Sequence, residues 1–414
     1  VSANQRLLMF RLLAKEEAAE TFVELDSDNQ QALIHAFSDS ELKEVLDELY
    51  LDDAVDVVEE MPATVVKRIL KNADSEMRES INALLKYPED SAGSIMTPEF
   101  VDLKKDMTVE DAFKRIRRTG IDKETIYTCY VCDSSRKLIG VTTVKELLLH
   151  DYDDVISDFM ETNIISLNTL DDQELATQLF DKYNFLALPV VDMEGRLVGI
   201  ITVDDAIDVI QEENTEDIQK MNAMLPTEKT YLKTSVFETW KSRFPWLLLL
   251  MISATFTGSI ITGFEDKLAT MTVLTAFIPM LMDTGGNAGS QASVTIIRGL
   301  ALNELDFSDI FRIMWKEFRA SILLALTLSV VCWAKLILID NLIFGYDYTY
   351  LLSAVVSVAL FLTVLVAKFV GCMLPLIAKK LKLDPAVVAS PFITTIVDAV
   401  SLIIYCKFAI AILS

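Results

Sequence analysis

Apolar runs long enough to cross a bilayer, confined to the part of the chain beyond Arg243, constrain this sequence more than anything else in it. A hydrocarbon core of about 30 Å needs roughly 20 helical residues. A helix apolar all round must lie in lipid or in the core of a large protein. Five such runs follow one another, at about 245–264, 269–299, 317–339, 350–377 and 386–412. The second and fourth contain Pro or Gly, which predicts broken helices there. One set of run ends carries Lys241, Arg243, Arg298, Arg312, Lys316, Arg319, Lys379, Lys380 and Lys382, whereas the opposite loops hold only Lys267. That bias places the preceding part of the chain in the cytosol and the C-terminus outside. Lys335 and Lys407 lie close enough to outer ends to snorkel.

The first 240 residues have a different composition. Of 37 basic and 61 acidic residues in the chain, residues 241–414 take 13 and 11, leaving 24 against 50 for the rest. A field of that sign repels nucleic acid, so no nucleic-acid partner is expected, and it attracts cations. Residues 1–87 read as short amphipathic helices. Apolar positions recur at three- and four-residue spacing from Glu41 to Leu49, and start signals recur at Ser38-Asp39-Ser40-Glu41, Leu51-Asp52-Asp53, Met61-Pro62 and Asp74-Ser75-Glu76. Units of this length predict a small helical superhelix. Cys129-Tyr-Val-Cys132 has metal spacing but no second pair, and its Ile/Tyr/Val-rich surroundings predict core thiols. No nucleophile stands beside a base, so the sequence does not read as an enzyme.

From about Ala92 to Gln211 the chain repeats itself. Leu138-Ile139-Gly140-Val141-Thr142-Thr143-Val144 aligns with Leu197-Val198-Gly199-Ile200-Ile201-Thr202-Val203, and Ser94–Thr97 aligns with Asp158–Glu161. Units of this size cannot bury a full core alone and should pack as a pair. The pattern resembles a tandem CBS (Bateman) module, with copies at about 92–150 and 155–211. That resemblance implies a cleft for adenine nucleotides such as ATP, with Thr202 near phosphate or ribose and Asp205 on ribose hydroxyls; the first copy has Thr143 and Glu146. Residues 212–243 then read as one long connecting helix, acidic at Glu212, Glu213, Glu216 and Asp217 and basic at Lys229, Lys233, Lys241 and Arg243, with a break at Pro226.

Two apolar runs contain groups that carry chemistry. Asp398 falls near the middle of the last run, where a carboxylate costs at least about 2.5 kcal/mol and marks a functional position. Thr394 lies one turn earlier on the same face. Mg2+ takes oxygen ligands and dehydrates reluctantly, so one or two carboxylates in a wet pore suit it. In the second run, Asp283-Thr284-Gly285-Gly286-Asn287-Ala288-Gly289-Ser290-Gln291 combines small residues for close helix approach with the amides of Asn287 and Gln291. Lys368, at a similar depth to Asp398, either pairs with that carboxylate, faces away from it or is neutral.

With Asp283–Gln291, Arg298-Gly299-Leu300-Ala301, Leu383-Asp384-Pro385-Ala386 and Thr395-Ile396-Val397-Asp398 in view, the whole chain resembles the MgtE family of bacterial Mg2+ transporters. The resemblance implies a multidomain α plus α/β membrane protein: a helical superhelix N domain (1–87), tandem CBS domains (88–211), a plug helix (212–243) and a five-helix transmembrane domain (244–414). It further implies a homodimeric Mg2+ channel in a bacterial cell membrane, with a pore at Asp398, Thr394 and Asn287. Regulatory Mg2+ would bind between acidic faces at Asp52, Asp56, Asp192, Glu194, Asp204 and Asp384 and close the gate. An H+- or Na+-coupled carrier using Lys368 and Asp398, or a non-conducting nucleotide receptor, are the alternative readings.

Overall fold

Polar caps set the lengths of the helices at the front of the chain. The computed structural model describes residues 3–227, 231–232, 234–387 and 390–413. Its first seven helices are α1 (Ala3–Phe10), α2 (Lys15–Val23), α3 (Ser27–Ala36), α4 (Asp39–Leu46), α5 (Leu51–Glu60), α6 (Ala63–Asn72) and α7 (Ser75–Leu84). Asp26 accepts from Asn29 N at 3.0 Å and Asp74 from Met77 N at 2.7 Å, satisfying first-turn amides. Ser38 and Glu41 close a reciprocal capping box at the start of α4. The helices stack α2 on α4, α4 on α6 and α5 on α7, as the recurring start signals predict. Arg68 staples the stack by donating to the carbonyls of Ile34 and Phe37 while pairing with Asp39.

The repeat becomes two matching sheets. In the first copy, β1 (Val101–Lys104) is followed by α8 (Val109–Thr119), β2 (Thr128–Cys132), β3 (Leu138–Thr143) and α9 (Val144–Leu149). The second has β4 (Leu167–Asn168), α10 (Gln173–Tyr183), β5 (Ala187–Val191), β6 (Leu197–Thr202) and α11 (Val203–Met221). Each sheet has one parallel and one antiparallel pair, in the orders β1-β2-β3 and β4-β5-β6. The copies exchange edges. Thr97, ahead of the first sheet, trades two 2.8 Å hydrogen bonds with Ile200 on β6, and Glu161, ahead of the second, trades two at 2.9 Å with Val141 on β3. Pairing the exposed strand edge of each copy with the other's leader makes the pair one unit. Gly140 and Gly199 permit it: a Cβ there would meet Met160 Sδ at 2.5 Å and Met96 Sδ at 2.6 Å. Cys129 and Cys132 are buried on β2, and burial pushes their thiols up to about 12 and about 11, as expected of core thiols.

The chain forms two compact units, Val1–Gln211 and Glu212–Ser414, and α11 runs from the first into the second. The expected connecting helix is shorter than the sequence pattern indicates. It ends at Met221, before Pro226, because Ala223 takes a left-handed φ of 55° and Met224 N returns to Gln219 O at 3.0 Å. That is the hydrogen bond of a Schellman-type stop. Residues 228–230 and 233, part of the expected segment and including Lys229 and Lys233, lie outside the described residues.

The second unit consists of α12 (Val236–Gly263), α13 (Glu265–Thr270), α14 (Ile278–Ala301), α15 (Ile310–Lys335), α16 (Tyr350–Lys380) and α17 (Ser390–Leu413). The helical stretches at 236–263, 307–341, 350–380 and 392–413 are long and apolar enough to cross a membrane. The second expected run is interrupted near its start by a 3₁₀ turn at Thr272–Phe277 ahead of α14, which Tyr405 Oη secures by donating to Leu274 O at 2.9 Å. The fourth run, also expected to be broken, is instead the single helix α16, which continues through Gly371 and Pro375 with α14, α15 and α17 packed around it. Residues 336–341 close the C-terminal end of the third run as a π-turn, where Lys335 pairs with the nearly buried Asp340 at 2.7 Å. At the centre, α16 packs on α14, α15 and α17, and α14 also packs on α17. Glycines set the approach: a Cβ on Gly371 would lie 2.2 Å from the carbonyl oxygen of Gly289, and one on Gly289 would meet Ile393 at 2.9 Å.

Gly371→Ala therefore has no room without moving α14 away from α16. Overpacking of this kind costs about 1–3 kcal/mol. The variant should show a lower thermal midpoint in detergent, whereas Gly258→Ala, where nothing lies within 4 Å of the added methyl, should not.

Candidate functional site

The broken second run delivers Asp283 and Asn287 to one face of α14, a helical turn apart, with Asn287 Nδ2 donating to Asp283 Oδ1 at 3.2 Å. On the neighbouring α17, Thr394 and Asp398 repeat that spacing. Gly286 lets the two helices close up: a Cβ there would sit 3.2 Å from Thr394 Cγ2 and 3.8 Å from Asp398 Oδ1. The result is a cavity of about 440 Å³ lined by Ile278, Pro279, Met282, Asp283, Gly286, Asn287, Thr394 and Asp398. Asn287 thus meets Thr394 and Asp398, more than a hundred residues further along the chain, at one place. Asp283 is the partner that sequence reasoning passed over. Its signal was present, as a carboxylate four residues before Asn287 in an otherwise apolar run.

This cavity can hold a hydrated ion. Six waters at about 30 Å³ each occupy about 180 Å³, well below its volume. An ion entering it exchanges few waters and meets two carboxylates, an amide and a hydroxyl, all oxygen donors suited to a hard dication. Lys368 is not among the lining residues; it lies with Glu317 within electrostatic reach of Cys372, on the side where α15 meets α16.

A second carboxylate group gathers in the first unit. Asp52 in the first turn of α5, Glu99 and Glu124 place carboxylate oxygens within 4.8 Å of one another. Glu99 accepts from Leu51 N at 3.1 Å, whereas Glu124 Oε2 is buried with no hydrogen-bond partner. Burial, reinforced by Asp205, Asp204, Asp53 and Glu99, pushes Glu124 up to about 8. Burial with Asp205, Asp204, Glu99 and Glu24 pushes Asp53 up to about 6, and Asp52 is raised well above the usual carboxylate range by burial and then by Asp205. The charges named here are all negative, so the group is a cation-accepting arrangement. Pairs at this separation suit a dication held partly through water, since direct Mg–O bonds are about 2.0–2.1 Å. Helix starts at α5 and α11 offset part of the repulsion among Asp52, Asp53, Asp204 and Asp205.

The other predicted residues are distributed differently. Asp56 is exposed, one turn beyond Asp52. Asp192 and Glu194 occupy the turn between β5 and β6, where Arg196 pairs with them at 2.6 and 3.0 Å. Thr202 donates to Asp205 Oδ2 at 2.5 Å, and its own amide donates to the same oxygen at 3.2 Å, so the two residues cap α11. Thr143 and Glu146 form the equivalent cap on α9. Asp384, in the second unit, pairs with Lys220 at 2.8 Å. Glu99, Glu124 and Asp53 escape sequence reasoning because only folding brings residues from three segments together.

The raised carboxylates make a signed prediction. Between the ordinary value of 4.5 and about 8, the folded unit keeps a proton on Glu124 that the unfolded chain releases. Ion-free stability should therefore rise as pH falls through that window and be lost as pH rises. In EDTA the thermal midpoint should climb, on the order of 2–4 °C for each kcal/mol in a unit of this size, between pH 8.5 and 5.5. Millimolar Mg2+ or Glu124→Gln should flatten the slope; an equal slope in all three samples would exclude the cluster as its origin.

Comparison with known proteins agrees with this architecture. The "Divalent cation transporter" MgtE family matches residues 278–408, the MgtE intracellular N domain matches residues 1–90, and CBS domains match 92–152 and 156–212. The magnesium transporter MgtE of Thermus thermophilus is 38% identical over 99% of this chain and 90% of its own length. That of Bacillus subtilis is 34% identical over 96% and 86%. A solved structure, the cytosolic domain of the Mg2+ channel MgtE in complex with ATP, is 38% identical with a TM-score of 0.49, covering 50% of this chain and 86% of that one. The chain belongs to the MgtE family of divalent cation transporters.

Proposed function

We propose that the chain conducts Mg2+ into the cytosol through the cavity at Asp283, Asn287, Thr394 and Asp398, and that Mg2+ bound at its cytosolic carboxylates closes the path. The observation that carries this reading is the meeting of two carboxylates, an amide and a hydroxyl in one cavity of an otherwise apolar helical unit. No fuel is required, because a dication gains about 4.6 kcal/mol per 100 mV of inside-negative potential. Five helices cross the membrane, α14 among them, with the first unit cytosolic and the C-terminus outside. The basic run ends support that orientation.

A second copy completes the pathway. Asp283 and Asn287 are exposed on α14 in the single chain, and facing lipid a carboxylate would cost at least about 2.5 kcal/mol. A homodimer with these faces opposed across a water-filled axis removes that cost. Regulation uses Asp52 and Asp204 with Glu99 and Glu124, Asp56 beside them, and Asp384 at the membrane edge; Asp192 and Glu194 join on release of Arg196. Adenine nucleotide at Thr202 and Asp205 is a further part of the proposal, supported by the signature they complete. Binding requires the nucleotide to displace the Thr202–Asp205 hydrogen bond, so ATP heats in a titration should vanish with Asp205→Asn.

Proteoliposomes under an inside-negative potential test the main reading. Wild type should take up Mg2+, and Asp398→Asn should lose at least about 100-fold, the loss equivalent to about 2.7 kcal/mol. Mixed reconstitution should give flux falling with the square of the wild-type fraction if two copies share one pore. A linear fall would mean one pore per chain, and undiminished flux through Asp398→Asn would place the pathway elsewhere.

A further inference from the structure

The last turn of α11 and the loop before α17 are joined by one ammonium. Lys220 Nζ lies 2.8 Å from Glu216 Oε1 and 2.8 Å from Asp384 Oδ2. Glu216 is one turn earlier on the same helix, whereas Asp384 is remote in sequence, so the second contact is a tertiary tie. A third carboxylate is nearby: burial and then the Asp384 charge push Asp217 up to about 6. Burial works against the Lys220 charge, and the hydrogen bonds to Asp384 and Glu216 outweigh it and raise its value. Three carboxylates therefore face one built-in cation. The loop that Asp384 anchors, through its 2.8 Å acceptance from Ala386 N, leads into the helix carrying Thr394 and Asp398.

We propose that Lys220 is a positioning residue of the gate. Its ammonium supplies an ion-independent hold between the end of α11 and the entrance to α17, occupying carboxylates that a dication would otherwise have to neutralise. The inference rests on the reading that cytosolic Mg2+ closes the pathway, and it adds a resting bias that operates before any ion binds. With Lys220 present, one of the three negative charges is already compensated, and the loop ahead of α17 is held while internal Mg2+ is low. Without it, Glu216, Asp217 and Asp384 repel one another, α11 loosens, and closure depends wholly on added dications. At high internal Mg2+ the difference disappears, because the dication does the same work with twice the charge.

The test measures flux through the full-length protein as a function of internal Mg2+, for wild type, Lys220→Gln and Lys220→Arg. Half-exposed ion pairs support a modest effect. Lys220→Gln should raise flux about two- to fivefold at the lowest internal Mg2+ and converge on wild type at the highest, with Lys220→Arg tracking wild type. Superimposed curves for Lys220→Gln and wild type would overturn the proposal, as would an arginine variant that behaves like the glutamine one. A uniform drop at every Mg2+ level with a lowered thermal midpoint would make Lys220 structural only and also overturn it. Hydrogen exchange over residues 212–221 in Mg2+-free detergent separates this inference from the pore reading. Faster exchange in Lys220→Gln alone supports the tie even if Asp398→Asn conducts normally, and unchanged exchange removes it even if Asp398 proves essential.

Discussion

The transmembrane half depends on the backbone contact of Gly289 with Gly371. Helices in lipid gain little from apolar burial against one another and associate through close packing and polar contacts. With only a hydrogen at each of these positions, α14 and α16 approach until a methyl on Gly371 would lie 2.2 Å from a carbonyl oxygen. Gly285 does the same toward Thr363 of α16 and toward Val397 and Ser401 of α17, and Gly286 toward Thr394 of α17, which fill the space a side chain would need. Separating these helices by even the width of a methyl group would pull Asp283 and Asn287 from Asp398. The chemistry of the cavity is thus a consequence of packing.

The cytosolic half uses a related device with opposite charge consequences. Gly140 and Gly199 admit a methionine from the other copy, locking the leader of each repeat onto the other's sheet. That exchange fixes where the segment around Glu99 lies and so which carboxylates meet Asp52 and Glu124. Their mutual repulsion, largely uncompensated, makes the group responsive to added cations: a dication that binds the folded arrangement more tightly than the separated one shifts the population toward it. Acidic composition alone gives solubility; convergence with a buried Glu124 oxygen that has no hydrogen-bond partner gives a candidate cation site.

Lys220 and Lys335 show how the second unit treats its cations. Each pairs with a carboxylate at 2.7–2.8 Å, Lys335 with Asp340 beside the π-turn and Lys220 with Asp384. Lys368 is kept on the side of Cys372 and Glu317, so the cavity at Asp398 is left without a lysine in its lining. A pathway for dications needs that segregation, because a bare ammonium beside Asp398 would compete for the same carboxylate.

Much of this was legible in the residues themselves. Hydrophobic period and cap chemistry are local, so the helical stack, both repeats and the apolar runs could be read directly, whereas Pro and Gly were a poor guide to where the runs break: α16 continues through Pro375. Asp398, Thr394 and Asn287 stood out because polar groups in apolar runs are expensive wherever the helices pack. The tertiary structure alone decided the rest. It brought Asp283 to Asp398 and Glu99 and Glu124 to Asp52, turned Lys368 away, and gave Asp192 and Glu194 to Arg196. It also ended α11 at Met221, where a left-handed Ala223 stops a helix that the charge pattern would carry further. Sequence fixes the type of each group through local energetics, whereas the meeting of groups dozens or hundreds of residues apart depends on how closely helices and strands can approach.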